Sequence, residues 1–142
     1  MKYTIRINEN QDEDFVISAK RHSPLLERLR QTLGGDGTVY GYAEEETIKL
    51  EAEEAYCFYT QGGKVFARTA DREWMVRERI YEIEQIFGES FVKINQSCLV
   101  NVSKIKKFGT SFGGGLWVLL ENGYQDYVSR RQIKEVKKRM GL

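Results

Sequence analysis

The sequence predicts a mostly β fold of the α+β class, with short antiparallel sheets and two short helices, preceded by a small β-β-α extension at the N-terminus. Short apolar runs separated by turn residues fill most of the chain, as in antiparallel β proteins. Only two segments after residue 41 have helical periodicity. Most of the 13 glycines lie between the apolar runs, where they predict turns.

The N-terminal extension is predicted from two strands and a helix. Lys2–Ile7 alternates apolar and polar residues and predicts a strand, and Asp14–Ala19 predicts a weaker one. Ser23 followed by Pro24 predicts an N-cap and the first position of a helix that has leucines on one face.

A glycine-rich stretch then predicts a linker. Gly34–Gly41 contains four glycines, so we place the extension at residues 1–41 and a second domain at 42–142. The extension is too small to form a stable domain by itself. Its acidity and its leucine face predict dimerisation or packing on the second domain.

The second domain is predicted to be mostly β. Gln61-Gly62-Gly63 predicts a short hairpin loop, and Asn122-Gly123 predicts a hairpin with a type I′ turn. The nine predicted strands are Thr47–Leu50, Ala55–Thr60, Lys64–Thr69, Glu73–Val76, Phe91–Ile94, Cys98–Val102, Ile105–Phe112, Leu116–Leu120 and Tyr124–Val128.

Two helices complete this domain. Arg79–Phe87 has isoleucines at helical spacing and ends at Gly88. Ser129 predicts the N-cap of a final helix that has a short apolar face and is otherwise covered by basic residues.

The charge is distributed unevenly along the chain. The net charge of +1 combines 12 acidic and 7 basic residues in 1–54 with 9 acidic and 15 basic residues in 55–142. From residue 90 onward there are 10 basic residues and 3 acidic ones. A basic C-terminal part predicts an anionic partner, such as a nucleic acid or a membrane surface.

Enzymatic chemistry is not indicated. The single histidine, His22, lies in a predicted loop, which leaves no base for serine or cysteine nucleophiles. Cys57 and Cys98 lie in apolar runs and predict reduced core residues, so we expect no metal site. Gly113–Gly115 lacks the lysine of a phosphate-binding loop, and we expect no cofactor. Without a secretory signal or an apolar run of about 18 residues, a cytoplasmic location is expected.

Polar residues interrupt the apolar pattern at two places. Asn95-Gln96-Ser97 separates two strands, and its side chains could either bond the local backbone or read adenine in a major groove. Arg130 and Arg131 begin the last helix after Ser129, where they could contact guanine or phosphate or simply form a solvated helix face.

These residues together resemble the LytTR DNA-binding domain of bacterial transcription regulators. The resemblance covers residues 42–142, and isoleucines of the first helix match leucine positions of that family. The matching motif consists of Phe91, Asn95-Gln96-Ser97, Val100-Asn101, Ile105, Asn122-Gly123 and Ser129-Arg130-Arg131.

The resemblance implies a transcriptional regulator that binds double-stranded DNA by sequence. It implies a compact domain whose loops, and not a recognition helix, enter successive major grooves, and a homodimer on two half-sites. Asn95 and Lys93 depart from the family, where histidine and arginine are common. The expected DNA contacts are Lys64, Lys93, Asn95, Gln96, Ser97, Lys104, Ser129, Arg130, Arg131 and Lys134.

Other functions stay open at this point. A protein-interaction module could bind an acidic partner through the basic C-terminal helix. A cyclic dinucleotide site at Arg130 and Arg131 would lack its glycine-containing partner motif. About 41 residues precede the LytTR-like part, fewer than the phosphoacceptor receiver domain that often precedes it would need.

Overall fold

The computed structural model describes residues 1–33 and 38–142, which are the described residues throughout. None of the helices among them is both long and apolar enough to cross a membrane. The helices are α1 (Pro24–Leu33), α2 (Ile80–Phe87) and α3 (Arg130–Arg139). The strands are β1 (Val39–Ala43), β2 (Glu46–Leu50), β3 (Cys57–Gln61), β4 (Lys64–Arg68), β5 (Glu73–Val76), β6 (Phe91–Asn95), β7 (Cys98–Asn101), β8 (Ile105–Thr110), β9 (Leu116–Leu120) and β10 (Gln125–Val128).

The strands form two antiparallel sheets. A large sheet has the order β2-β1-β5-β4-β3-β7-β6, and a small one has the order β10-β9-β8. One face of the large sheet packs against α2 around Phe58, Ile83 and Leu99. Its other face packs against the small sheet and α3, with Val118 and Val136 in the shared core. The predicted mostly β fold with two short helices in the second domain is therefore confirmed.

All nine strands predicted for the second domain are present, but the sequence did not predict β1. Gly41, assigned to the linker, is a buried residue of β1. A Cβ atom at this position would lie 2.8 Å from the Cβ atom of Trp74. The glycine therefore permits close packing inside the sheet, and the linker prediction is wrong for residues 39–41. Residues 34–37 lie outside the described residues, and the division at residue 41 stays a prediction.

The two strands predicted at the N-terminus are wrong, whereas the helix is confirmed. Lys2–Ile7 and Asp14–Ala19 form no strand. Tyr3, Ile5 and Ile7 are 80%, 79% and 90% exposed, so the alternating pattern buries nothing. Such a pattern needs a neighbouring strand to hydrogen-bond to, and no strand of the described residues pairs with these segments. The helix starts as predicted, because the Leu26 amide donates to Ser23 Oγ at 3.2 Å.

The two predicted hairpins form, but the turn type of the second differs from expectation. Gly62 and Gly63 have φ values of 60° and 77°, which is the type I′ pattern. At the other hairpin only Gly123 has a positive φ, and its amide donates to the Leu120 carbonyl at 3.0 Å. This is a three-residue loop with a glycine bulge, so the type I′ prediction for Asn122-Gly123 is wrong.

A cluster of polar aromatic residues joins the two sheets. The Tyr59 hydroxyl on β3 donates to the Glu73 carboxylate, and the Tyr59 ring stacks on Tyr124 with centroids 5.6 Å apart. The Arg68 guanidinium lies 5.4 Å and 5.2 Å from these two ring centroids. Burial and the carboxylate beside the phenol raise the pKa of Tyr59 to about 12.

We expect this cluster to make stability fall at alkaline pH. Unfolded tyrosine ionises near 10, so the native state binds the Tyr59 proton more tightly between pH 10 and about 12. The free energy of unfolding should therefore decrease over this range and decrease less steeply for Tyr59→Phe. Urea unfolding at several pH values measures both slopes. Equal slopes would contradict the assignment of this ionisation to Tyr59.

Candidate nucleic-acid interface

Three loops that the sequence predicted as DNA contacts meet at one end of the large sheet. They are the β3–β4 hairpin, the β6–β7 turn and the start of α3, and we call this end the loop edge. The Thr60 amide donates to the Ser97 carbonyl at 2.9 Å, which joins the hairpin to the turn. The Ser129 amide donates to the Ile94 carbonyl at 2.8 Å, which joins the start of α3 to β6. Backbone bonds therefore fix the three loops relative to one another.

The hairpin presents one cation at this edge. Gln61 pairs with Lys64 in the register of β3 and β4, and the two-residue turn between them requires the glycine conformations described above. Gln61 and Lys64 are both exposed. The Lys64 ammonium therefore lies at the tip of a short, well-defined hairpin.

Asn95 is a structural residue of the turn. It is only 2% exposed, and its side-chain amide donates to the Tyr127 carbonyl at 3.0 Å. Its Oδ1 atom accepts the Ser97 amide at 2.9 Å. Because both ends of the side chain are used inside the protein, base reading by Asn95 does not fit this structure. Asn95 positions the turn and the end of β10.

Gln96 and Ser97 differ from Asn95, because their side chains face solvent. Both side chains are exposed, and neither forms a hydrogen bond with another described residue. Their backbone is held by Asn95 and Thr60. A rigid turn thus presents a free amide and a free hydroxyl, which are groups that can bond to base edges or phosphates.

Helix α3 starts at the loop edge and runs along β6 away from it. Ser129 is the N-cap, and its hydroxyl makes no capping bond. Val136 is fully buried, and Ile133 and Met140 pack against the same core. Near the other end, Arg139 Nη1 donates to the Phe91 carbonyl at 3.0 Å. These contacts fix the direction in which the helix presents its basic side.

The basic residues of the loop edge lack acidic partners. Lys64, Arg130, Arg131 and Lys134 are exposed, and none forms an ion pair within the described part of the chain. Four cations elsewhere in the fold are paired with carboxylates at 3.2–3.6 Å. These paired cations are Lys49, Arg68, Arg72 and Arg139.

The structure does not bring Lys104 to the loop edge. Lys104 follows β7, and its Nζ atom lies 5.0 Å from the centroid of the Tyr56 ring. Tyr56 precedes β3, so Lys104 is separated from the hairpin by the length of this strand, about 16 Å. We call this end of the large sheet the opposite edge.

Lys93 lies near the loop edge, but its side chain does not point to it. It pairs with Leu99, which belongs to the core under α2, so the Lys93 side chain points to the α2 face of the sheet. It is half-buried on β6, the last strand of the sheet, two residues from Asn95. It can reach a ligand at the loop edge only around this outer strand.

The opposite edge is acidic. A groove there is lined by four carboxylates, Glu46, Glu53, Glu54 and Asp71, and by two cations, Arg72 and Lys104. The two ends of the sheet therefore differ in charge, because the loop edge presents the unpaired cations Lys64, Arg130, Arg131 and Lys134 and the opposite edge presents four carboxylates in one groove. An anion approaching this domain is attracted to the loop edge.

The positioning role of Asn95 had a signal in the sequence. The spacing Asn-x-Ser occurs twice, at Asn95 and at Asn101. Asn101 is 3% exposed, and its Oδ1 atom accepts the Ser103 amide at 3.0 Å, as Asn95 accepts the Ser97 amide. A buried asparagine that accepts the amide two residues ahead is a local turn motif, which the repeat could have indicated.

Comparison with known proteins gives three concordant results. The family model for the LytTr DNA-binding domain matches residues 45–141. The LytTr DNA-binding domain of a response regulator from Bacillus cereus superposes with a TM-score of 0.69 and 18% identity, covering 76% of this chain and 100% of that chain. The similarity to the Bacillus cereus domain shows that this chain has the same fold.

Curated relatives match over the whole chain. An uncharacterized HTH-type transcriptional regulator of Staphylococcus aureus strain N315 is 26% identical, covering 100% of this chain and 99% of the relative. A regulator of the same description from strain NCTC 8325 is 25% identical with the same coverage. The described residues form no helix-turn-helix here, because five strands separate α2 from α3. Since the family model covers more than half of the sequence, this chain belongs to the LytTr DNA-binding domain family.

Proposed function

We propose that this protein is a transcriptional regulator that binds double-stranded DNA by sequence, using the loop edge. The observation that carries the proposal is the convergence of three loops with unpaired cations and free amides on one end of a rigid sheet. Membership of a DNA-binding family and relatives named transcriptional regulators support it. The protein would act in the cytoplasm, where bacterial DNA is.

The proposed contacts divide into two kinds. Gln96 and Arg131, one of the two arginines at the start of α3, read base edges in major grooves, because a side-chain amide can pair with adenine and a guanidinium with guanine. The other arginine, Ser129 and Ser97 bond phosphates, and Lys64, Lys134 and, at the margin, Lys93 neutralise them. Asn95 holds the turn in place, and Lys104 takes no part.

We further propose that two copies bind adjacent half-sites. The leucine face of α1 supports this, because Leu25 and Leu29 are 39% and 37% exposed in the single chain. A second copy could cover these side chains. Sedimentation of the protein alone and of the protein–DNA complex would give the number of copies in each.

The test of this function is a binding titration. A duplex selected from a randomised library and a scrambled duplex of equal composition would be titrated at several salt concentrations. We expect a preference of about a hundredfold or more for the selected duplex; specific sites are usually preferred by about 10³- to 10⁷-fold. With roughly five phosphate contacts per copy, log K per bound copy should fall with log salt with a slope of about −4 to −5. Equal binding to both duplexes would overturn specific recognition and favour a basic surface for an acidic protein.

A further inference from the structure

We propose that Arg77 is a further DNA contact of the loop edge and binds a phosphate beyond the reach of Lys64. This inference rests on the proposed function. Arg77 immediately follows β5 and lies outside the three loops that the sequence and the family motif indicate. The register of the sheet, however, places it beside the hairpin.

The pairing of β4 and β5 locates Arg77. Val65 pairs with Val76, so the next positions outward are Lys64 and Arg77. Neighbouring strands lie about 4.8 Å apart, which sets the distance between the two backbones. Arg77 thus extends the loop edge by one strand, on the side away from α3.

The two side chains also lie on the same face of the sheet. Val76 is buried in the core under α2, and Val65 packs against that core. Because side chains alternate along a strand, Lys64 and Arg77 face the other way. The Arg77 guanidinium indeed lies over the Tyr42 ring, 4.4 Å from its centroid, and Tyr42 pairs with Met75 on that face.

The chemistry of Arg77 suits a phosphate. Its side chain is exposed and forms no ion pair with a described carboxylate, unlike Arg68 on the same face. The Tyr42 ring restrains the guanidinium, so less conformational entropy is lost when it binds an anion. Each DNA strand carries one phosphate about every 3.4 Å of helix axis, so a cation one β-strand away from Lys64 can meet a different phosphate.

The chain contains a matched control at the other end of β5. Arg72 precedes this strand, and its guanidinium lies 4.2 Å from the centroid of the Trp74 ring. It is therefore also an arginine stacked on an aromatic ring. It lies in the acidic groove of the opposite edge and pairs with Glu46 at 3.3 Å, so it should not touch DNA.

The experiment compares Arg77→Gln with Arg72→Gln in fluorescence anisotropy titrations over a range of salt concentrations. We expect Arg77→Gln to weaken binding to selected and scrambled duplexes by the same factor, about five- to tenfold, and to reduce the salt slope by about 0.9. Arg72→Gln should leave the slope unchanged. Arg77→Lys keeps the charge and should retain the wild-type slope, which separates loss of a contact from loss of packing on Tyr42.

Arg131→Ala, titrated in parallel, separates this inference from the function on which it rests. If the wild type is specific and Arg131→Ala loses specificity while Arg77→Gln keeps the wild-type slope, the Arg77 contact is overturned and the proposed function stands. If the wild type itself binds DNA without salt dependence, the proposed function fails and the inference fails with it. A slope reduced equally by Arg72→Gln would also overturn the inference, because the effect would then be one of net charge.

Discussion

Replacing Arg131 with alanine is expected to abolish most of the preference for the specific duplex while the protein stays folded. Arg131 is exposed in the first turn of α3 and forms no ion pair with a described residue, so its removal costs little stability. A bidentate contact between an arginine and a base contributes about 1–3 kcal/mol of discrimination, which corresponds to about a 5- to 150-fold loss. Titration of selected and scrambled duplexes, together with thermal unfolding, measures both quantities.

Lys137→Ala is the matched control for this prediction. The substitution removes one positive charge from an exposed position of α3, six residues further along than Arg131. At 1.5 Å per residue it lies about 9 Å further from the loop edge. We expect less than about a threefold loss of affinity and no change in preference between duplexes. A tenfold loss would mean that the whole helix lies on the DNA, which contradicts recognition by the loop edge.

Much of the second domain was predictable because its turns are marked locally. Gly62 and Gly63 fix one hairpin, and Gly88 marks the end of α2. The apolar runs between these turns have the length of β-strands and are too short for helices. The failures are those of elements that depend on distant residues. β1 needs Trp74 to pack on Gly41, and Lys2–Ile7 has no strand beside it.

The resemblance named the loops that make up the candidate site, but it did not predict what each of their side chains does in the structure. The family resemblance named three loops, and the structure brings them together at one end of the large sheet, while their role in DNA binding stays a prediction. Whether a given polar side chain faces outward or inward depends on the register of strands far apart in sequence. Asn95 reaches Tyr127, 32 residues away, and Lys104 lies on Tyr56, 48 residues away. Arg77 reaches the loop edge only through the pairing of β4 with β5.

Asn95→Ala is expected to weaken DNA binding by at least tenfold in protein that is still folded. The side chain bonds the Ser97 amide and the Tyr127 carbonyl, and so it fixes the turn relative to the residues that lead into α3. Its loss removes two partly buried hydrogen bonds, at about 0.5–1.5 kcal/mol for each. The distance between the Gln96 amide and the Arg131 guanidinium would then vary in the free protein. Binding would have to fix this distance again, and the conformational entropy lost in doing so would lower the affinity.

Asn101→Ala distinguishes this effect from simple instability. Asn101 is equally buried, but it lies at the opposite edge, where it donates to the Ala52 and Ala55 carbonyls at 2.8 and 2.9 Å. It also accepts from Ser103, so its loss should destabilise the protein more than the loss of Asn95 does. At a temperature where circular dichroism shows both variants folded, Asn101→Ala should bind DNA like the wild type.

A third variant makes the comparison sharper. In Asn95→His, the residue common in this family, one ring nitrogen can donate to the Tyr127 carbonyl while the other accepts the Ser97 amide. It should recover most of the affinity that Asn95→Ala loses. If Asn95→Ala binds as tightly as the wild type once folded, the three loops do not need a fixed spacing, and recognition would have to depend on each loop separately. If Asn101→Ala loses affinity equally, loss of stability alone would explain both variants. The proposal that the loop edge binds DNA and the opposite edge does not would then be wrong.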